Sequence, residues 1–315
     1  MSNKSIALPV RSRLIDNAPL IVVILILFDS LHFVFARLLL PHLHPMTSAF
    51  YVMAIATMQL AIFAKIQGHF RFATFRRNLW FFLAIGFLVA VSTALNYAAV
   101  AFIDPGSATL LGKTSVIFGL GFGIFWLKDR LNRAQLFGAL LAVVGVVVVT
   151  FQPGDYLRVG ALMVIASAFL YALHAALVKR HSGHLQLVEF FLFRLLATTG
   201  FLFVLSAGGG YLTWPDGHTW LILIVVGTVD VVVSRALYYI SLRRLGISQH
   251  SIILTLSPVA AIVWSLLLFG VSPTGQQLVG GLIVLSGVLM VTVSAGSKFT
   301  RANKPRHQPL SSETN

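Results

Sequence analysis

The chain has 315 residues; 57% are hydrophobic, only 10% are charged, there is no cysteine, and the formal net charge is +14. A soluble globular chain carries roughly 25% charged residues, so a soluble domain, a disordered chain and a disulfide scaffold are excluded, and the missing cysteine excludes thiolate metal sites, iron–sulfur clusters and thiol nucleophiles. What remains is an all-α polytopic membrane protein, in agreement with a mean hydropathy of +0.89.

A spanning helix needs about 20 mostly apolar residues. Ten such runs are predicted in chain order, numbered here as spans 1 to 10: 20–40, 46–66, 78–101, 106–127, 134–152, 158–179, 187–207, 218–241, 248–270 and 276–295. Short connections with turn chemistry separate them, among them Asp104-Pro105-Gly106, Pro153-Gly154-Asp155 and Pro215-Asp216-Gly217. No soluble domain is inserted. Span 1 follows basic residues as a secretory signal would, but it is long and no small-residue cleavage pattern follows it, so it reads as a retained span.

The basic residues lie on alternate connections. The N-terminus, the 2–3, 4–5, 6–7 and 8–9 connections and the tail hold 18 of the 23 Lys and Arg residues, while the opposite connections hold only Arg37 and Arg158. Lys and Arg concentrate on the cytoplasmic side, which predicts both termini in the cytoplasm and an even number of spans. The same distribution argues against nucleic acid as the reason for the high charge.

The sequence matches itself at an offset of 142 residues. Val91-Ser92-x-Ala94-Leu95-x-Tyr97 aligns with Val233-Ser234-x-Ala236-Leu237-x-Tyr239, and Gln135-Leu136-x-Gly138-x-Leu140 with Gln277-Leu278-x-Gly280-x-Leu282. Gly145-Val146 aligns with Gly287-Val288, and His32 with His174. Five spans per repeat is an odd number, so the second copy is expected upside down relative to the first. Inverted repeats of this kind are a common transporter architecture, with the substrate site near the midplane between the halves. The expected organisation is a cytoplasmic N-terminal segment at 1–19, repeats at 20–152 and 153–296, and a disordered cytoplasmic tail at 297–315.

The repeats also carry a family resemblance. Ala236-Leu237-x-Tyr239, Ser257-Pro258 and the run from Gln277-x-x-Gly280 to Gly287-Val288 resemble the second half of an EamA-type member of the drug/metabolite transporter superfamily. Lys128-Asp129-Arg130-Leu131 and Gln135-x-x-Gly138 resemble the first half, and Arg194 stands where such proteins often have an arginine. The likeness covers roughly residues 20–295. It departs at Asp129 and Val271, where the family often has Glu, and at Val116, which faces Pro258 in the repeat alignment. The resemblance implies a ten-helix carrier and leaves the cargo open, since the superfamily moves amino acids, nucleotide sugars, phosphorylated sugars, amines and drugs.

A charge at the bilayer centre is costly and should face protein or water. Asp29, Arg37, Lys113, Glu189, Arg194, Asp230 and Arg235 fall within or near spans. Arg37 is close enough to an end to snorkel, and Arg194 reads as structural. Asp29 and His32 share one face of span 1 and align with Tyr171 and His174 in span 6, which predicts a polar, cavity-facing stripe in both repeats; the competing reading is hydrogen bonding between helices. Asp230 and Arg235 lie about 140° apart on an α-helix and so need separate partners. Arg235 has Asp29 or Glu189 available, and Lys113 has Asp29 or Asp230. The candidate substrate or coupling residues are Asp29, His32, Tyr97, Lys113, Tyr171, His174, Asp230, Arg235 and Tyr239.

Both signs of charge in the membrane suit a zwitterion such as an amino acid, and aromatic walls would accept an apolar side chain. Amines, drugs and organic or phosphorylated anions are the alternative cargoes. Asp and His also permit proton coupling, and export across a bacterial inner membrane is the expected task. No metal or cofactor site is read. An enzyme is not expected, because there is no P-loop, HExxH or GxSxG pattern; Gly119, Gly121 and Gly123 belong to an apolar helix. A non-transporting scaffold or sensor is the alternative of another class. Gly- and Ala-rich faces would serve either internal packing or a homodimer.

Overall fold

The computed structural model describes residues 18–68, 71–126, 133–152, 156–157, 159–182, 185–238, 254 and 256–302. Within the first repeat, α1 (Ala18–Asp29), α2 (Leu31–Leu39), α3 (Pro45–Ile66), the short α4 (Phe72–Arg77), α5 (Leu79–Ala99), α6 (Pro105–Gly112), α7 (Ser115–Phe125) and α8 (Arg133–Thr150) follow one another. A two-residue antiparallel ladder joins β1 (Phe151–Gln152) to β2 (Tyr156–Leu157) at the junction of the repeats. The second repeat contributes α9 (Val159–His181), α10 (Leu187–Gly208), α11 (Gly217–Val226), α12 (Ser257–Phe269) and α13 (Gly275–Ala302). α13 continues through the first residues assigned to the tail.

Helices dominate because lipid offers backbone groups no hydrogen-bonding partner. Their starts are written in the sequence. Asp104 caps α6 by accepting a bond from the Ser107 amide at 2.8 Å, with Pro105 at the first helical position. Asp216 caps α11 in the same way through the Thr219 amide at 2.9 Å. Among the described residues, six helices are long and apolar enough to cross a membrane: Pro45–Ile66, Leu79–Ala99, Pro105–Phe125, Val159–His181, Leu187–Gly208 and Gly217–Tyr238. Three shorter apolar helices, Arg133–Val149, Ser257–Phe269 and Gly275–Val291, accompany them.

Several spans are interrupted. Span 1 is two helices divided at Ser30. Span 4 is divided at Lys113 and Thr114, where the ladder tightens to i−3 bonds: Lys113 N–H to Leu110 O, Thr114 N–H to Leu111 O and Val116 N–H to Lys113 O. In span 9, α12 begins at Ser257 after Leu256, whose carbonyl likewise accepts from Val259 three residues on. Ser115 and Ser257 are 142 residues apart, so α7 and α12 begin at equivalent places in the two repeats. In span 8, Gly227–Val233 is π-helical; its counterpart in the first repeat, Ile85–Val91, lies within the regular α5. The π ladder carries Asp230, so the 140° spacing expected between Asp230 and Arg235 does not apply there.

The repeats meet through equivalent residues. Thr57 and Thr199, offset by 142, hydrogen-bond each other at 2.8 Å between α3 and α10. Gly138 of α8 abuts Gly287 of α13, and Gly145 abuts Gly280, so α8 and α13 run antiparallel with their small residues interlocked. A Cβ added at Gly287 would lie 2.5 Å from Gly138 O and 2.6 Å from the Ala142 nitrogen, whereas one at Gly119 would meet nothing within 4 Å. Gly287→Ala should therefore destabilise the protein by about 1–3 kcal/mol, while Gly119→Ala should be neutral or stabilising. Thermal unfolding of the two purified variants in the same detergent checks this; equal midpoints would refute it.

The Asp216 cap is sensitive to pH. Hydrogen bonds from Thr219 hold its carboxyl below the ordinary carboxylate value, so the cap acts fully above that value and is lost as pH falls through the lowered one. Protection of the first-turn amides of α11, taken relative to the intrinsic exchange rate at each pH, should fall in the native protein once pH drops below the ordinary carboxylate range and should already be reduced at neutral pH in Asp216→Ala.

Candidate functional site

The interruptions converge. Asp29 ends α1, Lys113 sits in the break between α6 and α7, and Ser257 opens α12. Lys113 Nζ donates to Ser257 Oγ at 2.8 Å and lies 3.4 Å from Asp29 Oδ2. Ser257 Oγ in turn donates to Leu254 O at 2.6 Å. One ammonium thus bridges spans 1, 4 and 9 and ties the first repeat to the second.

A second cross-repeat pair lies close by. His32 Nδ1 is 2.9 Å from Asp230 Oδ2, and His32 Nε2 is 3.4 Å from Asn96 Nδ2. Asp230 is 7% exposed and His32 27%. Tyr97 packs edge-on to His32 with ring centres 6.0 Å apart. Asn96 Oδ1 and Tyr97 Oη are buried without a hydrogen-bond partner among the described residues. Gly227, packed against the Val52 carbonyl of α3, lets the π segment approach closely enough to aim Asp230 at His32.

The matching corner of the second repeat differs in charge. Tyr171 and His174 of α9 have ring centres 5.3 Å apart, and His174 is 5% exposed. Arg194 of α10 and Arg235 both act electrostatically on Tyr171 and His174. Arg235 also acts electrostatically on Asp29 and His32.

Lys113 therefore has Asp29, not Asp230, as its acid, and Asp230 has His32. Glu189 lies elsewhere, buried at the start of α10, where Oε2 accepts a bond from Thr74 Oγ1 at 3.2 Å. Arg37 donates to the Val100 carbonyl. Eight of the nine candidate residues lie in this central region; Tyr239 is outside the described residues, as are Asp129 and Thr255. Ser257 was not expected as Lys113's partner. Its signal was present in Pro258: proline favours a helix start, so inside an apolar run it marks a break.

Both halves of the chain match the EamA-like transporter family, over residues 17–151 and 158–293. The chain belongs to the EamA-like transporter family. It is a membrane transporter of the drug/metabolite transporter type, and not an enzyme. Among relatives of this EamA-like protein, a riboflavin transporter of Vibrio cholerae serotype O1 is 25% identical over 251 residues, covering 76% of this chain and 80% of the relative. A probable amino-acid metabolite efflux pump of Salmonella typhimurium is 25% identical over 223 residues, covering 65% and 75%. A solved crystal structure superposes with a TM-score of 0.61 at 20% identity over 88% of this chain and 97% of the other, a likeness of fold.

Proposed function

We propose that this EamA-like protein is a secondary transporter that exports a small zwitterion, amino-acid-like in its charges, across the bacterial inner membrane by alternating access. In this reading the chain crosses ten times as two inverted five-span repeats at 20–152 and 153–296, with both termini cytoplasmic. The antiparallel, self-matching contact of α8 with α13 and the Thr57–Thr199 bond support the inverted arrangement. The basic connections support the orientation.

The observation that carries the reading is the meeting of both charge signs where spans 1 and 4 are interrupted, α12 begins and span 8 turns π-helical. Interrupted helices near a repeat interface are where carriers bind cargo, and π segments favour functional sites. Asp29, His32, Tyr97, Lys113, Tyr171, His174, Asp230, Arg235 and Tyr239 form the proposed binding and coupling set, with His32–Asp230 able to exchange a proton. The efflux pump named among the relatives supports export of an amino-acid metabolite; the riboflavin transporter keeps a neutral aromatic cargo as the second candidate.

Exchange in proteoliposomes tests this. Vesicles loaded with a labelled amino-acid mixture should lose label faster when unlabelled amino acids are outside, and a pH gradient should change the extent. No protein-dependent exchange of any amino acid would discard the cargo, and riboflavin would be the next compound to test.

A further inference from the structure

Asn96 is the one amide side chain of α5, and the 142-residue offset pairs it with Tyr238, so the repeat does not account for it. It meets His32, which faces Asp230 on its other ring nitrogen. We propose that Asn96 is a positioning residue whose amide turns over when His32 takes up a proton, so that the wall of the site offers a carbonyl oxygen in one protonation state and an NH2 group in the other. The inference rests on the reading of His32–Asp230 as the proton-carrying pair and adds the step that passes the proton's arrival to the cargo.

Hydrogen-bond polarity carries it. A carboxylate only accepts, so the 2.9 Å contact with Asp230 Oδ2 requires the hydrogen on His32 Nδ1. In the neutral ring Nε2 is then bare, and Asn96 Nδ2, 3.4 Å away, donates to it. This leaves Asn96 Oδ1 a buried acceptor with no hydrogen-bond partner among the described residues. An added proton goes to Nε2, because Nδ1 already has its hydrogen. Two donors, Nε2–H and the Asn96 NH2 group, then face each other. Turning the amide by about 180° removes the conflict: Oδ1 accepts from Nε2–H, and Nδ2 swings to where Oδ1 stood. The only covalent change is the N–H bond formed at Nε2, Asp230 stays a carboxylate, and release of the proton reverses the turn. The contact given up, at 3.4 Å, is a long one, whereas the bond formed has an ionised donor and is roughly twice as strong as a neutral one.

The other groups around the ring do not compete for Nε2. Asp230 of the π segment, Asp29 at the end of α1 and Arg235 act on it electrostatically, and Tyr97 packs edge-on to it. Lys113, in the break of span 4, answers Asp29. Of the other helices packed against α2, α6 and α12 carry no charge, Tyr51 of α3 donates to Thr213 O, and Lys65 of α3 and His218 of α11 lie at helix ends. Among the described residues, Asn96 is the group within hydrogen-bond distance of Nε2.

Nuclear magnetic resonance of the purified full chain in nanodiscs, with 15N in its His and Asn side chains, tests this between about pH 5 and pH 8, with His32 and Asn96 assigned by substitution. The Asn96 amide signals should move in step with the His32 ring nitrogens. The direction of one substitution then separates a turning amide from a fixed one. A turning amide holds the proton on His32, so Asn96→Leu should raise the proton concentration at half-titration of His32 about fivefold or more. A fixed amide opposes the proton with its NH2 group, so easier protonation in Asn96→Leu would overturn the proposal. An Asn96 signal that stays constant while His32 titrates would also overturn it and leave the proton-pair reading standing. A His32 that does not titrate in this range would overturn that reading and the proposal with it. In proteoliposomes, Asn96→Leu and Asn96→Asp, neither of which has an amide to turn, should each cut gradient-driven accumulation of the labelled amino-acid mixture at least tenfold while equilibrium exchange keeps a measurable rate. Native accumulation in either would overturn the passage to the cargo. Variants are compared only where they elute as a single species with the native melting profile; the native resonances alone decide whether the amide turns if neither variant folds.

Discussion

Replacing Lys113 with Ala should abolish exchange and lower the stability of the protein, and a second substitution should separate the two effects. Lys113 holds Asp29 at 3.4 Å and Ser257 at 2.8 Å, and these residues sit at the interruptions of spans 4 and 1 and at the start of α12. Removing one member of a buried ion pair costs about 3–5 kcal/mol, and exposed pairs are worth less than about 1 kcal/mol. Here the side chains are 19% and 23% exposed, which points to roughly 2–3 kcal/mol for Lys113→Ala. Lys113→Ala with Asp29→Asn removes both charges of the pair and should recover part of that stability, the rest being the counter-charge that Arg235 loses. Exchange should stay lost in the double variant if the bridge between the repeats is what moves during transport. The comparison needs thermal unfolding and proteoliposome exchange on the wild type, both single variants and the double variant. Full recovery of exchange in the double variant would reduce the bridge to a stabilising contact.

Asp230→Asn is the second large effect expected, and it concerns the driving force. The Asp230 carboxylate is 7% exposed and faces the His32 ring at 2.9 Å, across the boundary between the repeats. Asp29 and Arg235 also act on that ring, and Tyr97 packs against it. A carboxylate–imidazole pair can take up and release one proton: the carboxylate stabilises the imidazolium while the proton is bound, and the ring N–H still donates to the carboxylate once it has left. Asn keeps the size and a hydrogen-bonding oxygen but cannot titrate. Asp230→Asn should therefore abolish pH-gradient-driven accumulation, a loss of tenfold or more, while equilibrium exchange of cargo without a gradient retains a measurable rate. His32→Gln should give the same split. Gradient-driven accumulation that survives both substitutions would move the proton elsewhere. Glu189, buried at the start of α10 with Oε2 accepting from Thr74 Oγ1 at 3.2 Å, would then be the next group to substitute.

Much of the architecture was legible because the constraints behind it are one-dimensional. The shortage of charge and the length of the apolar runs required membrane helices. The repeat could be read from Gly138, Gly145, Gly280 and Gly287, which are small because two backbones pass within a Cβ's width of each other. The seven intramembrane charges could be named from the sequence, since lipid tolerates few of them.

Partners were another matter. Helical periodicity fixes which residues share a face, and says nothing of which helix lies opposite. Asp29 was open to Lys113 or Arg235, and Lys113 to Asp29 or Asp230; only the convergence of α1, the α6–α7 break and α12 decided for Asp29 with Lys113. The π turn at Gly227–Val233 left no mark in hydropathy, because its residues are as apolar as an α-helix would be. It arises where Gly227 lets the backbone approach α3 and where His32 takes up the Asp230 carboxylate. The sequence by itself determined a repeated, membrane-embedded helical chain with a charged interior. Only the tertiary structure decided how those charges are paired, because pairing depends on distances of a few ångströms between segments up to 198 residues apart.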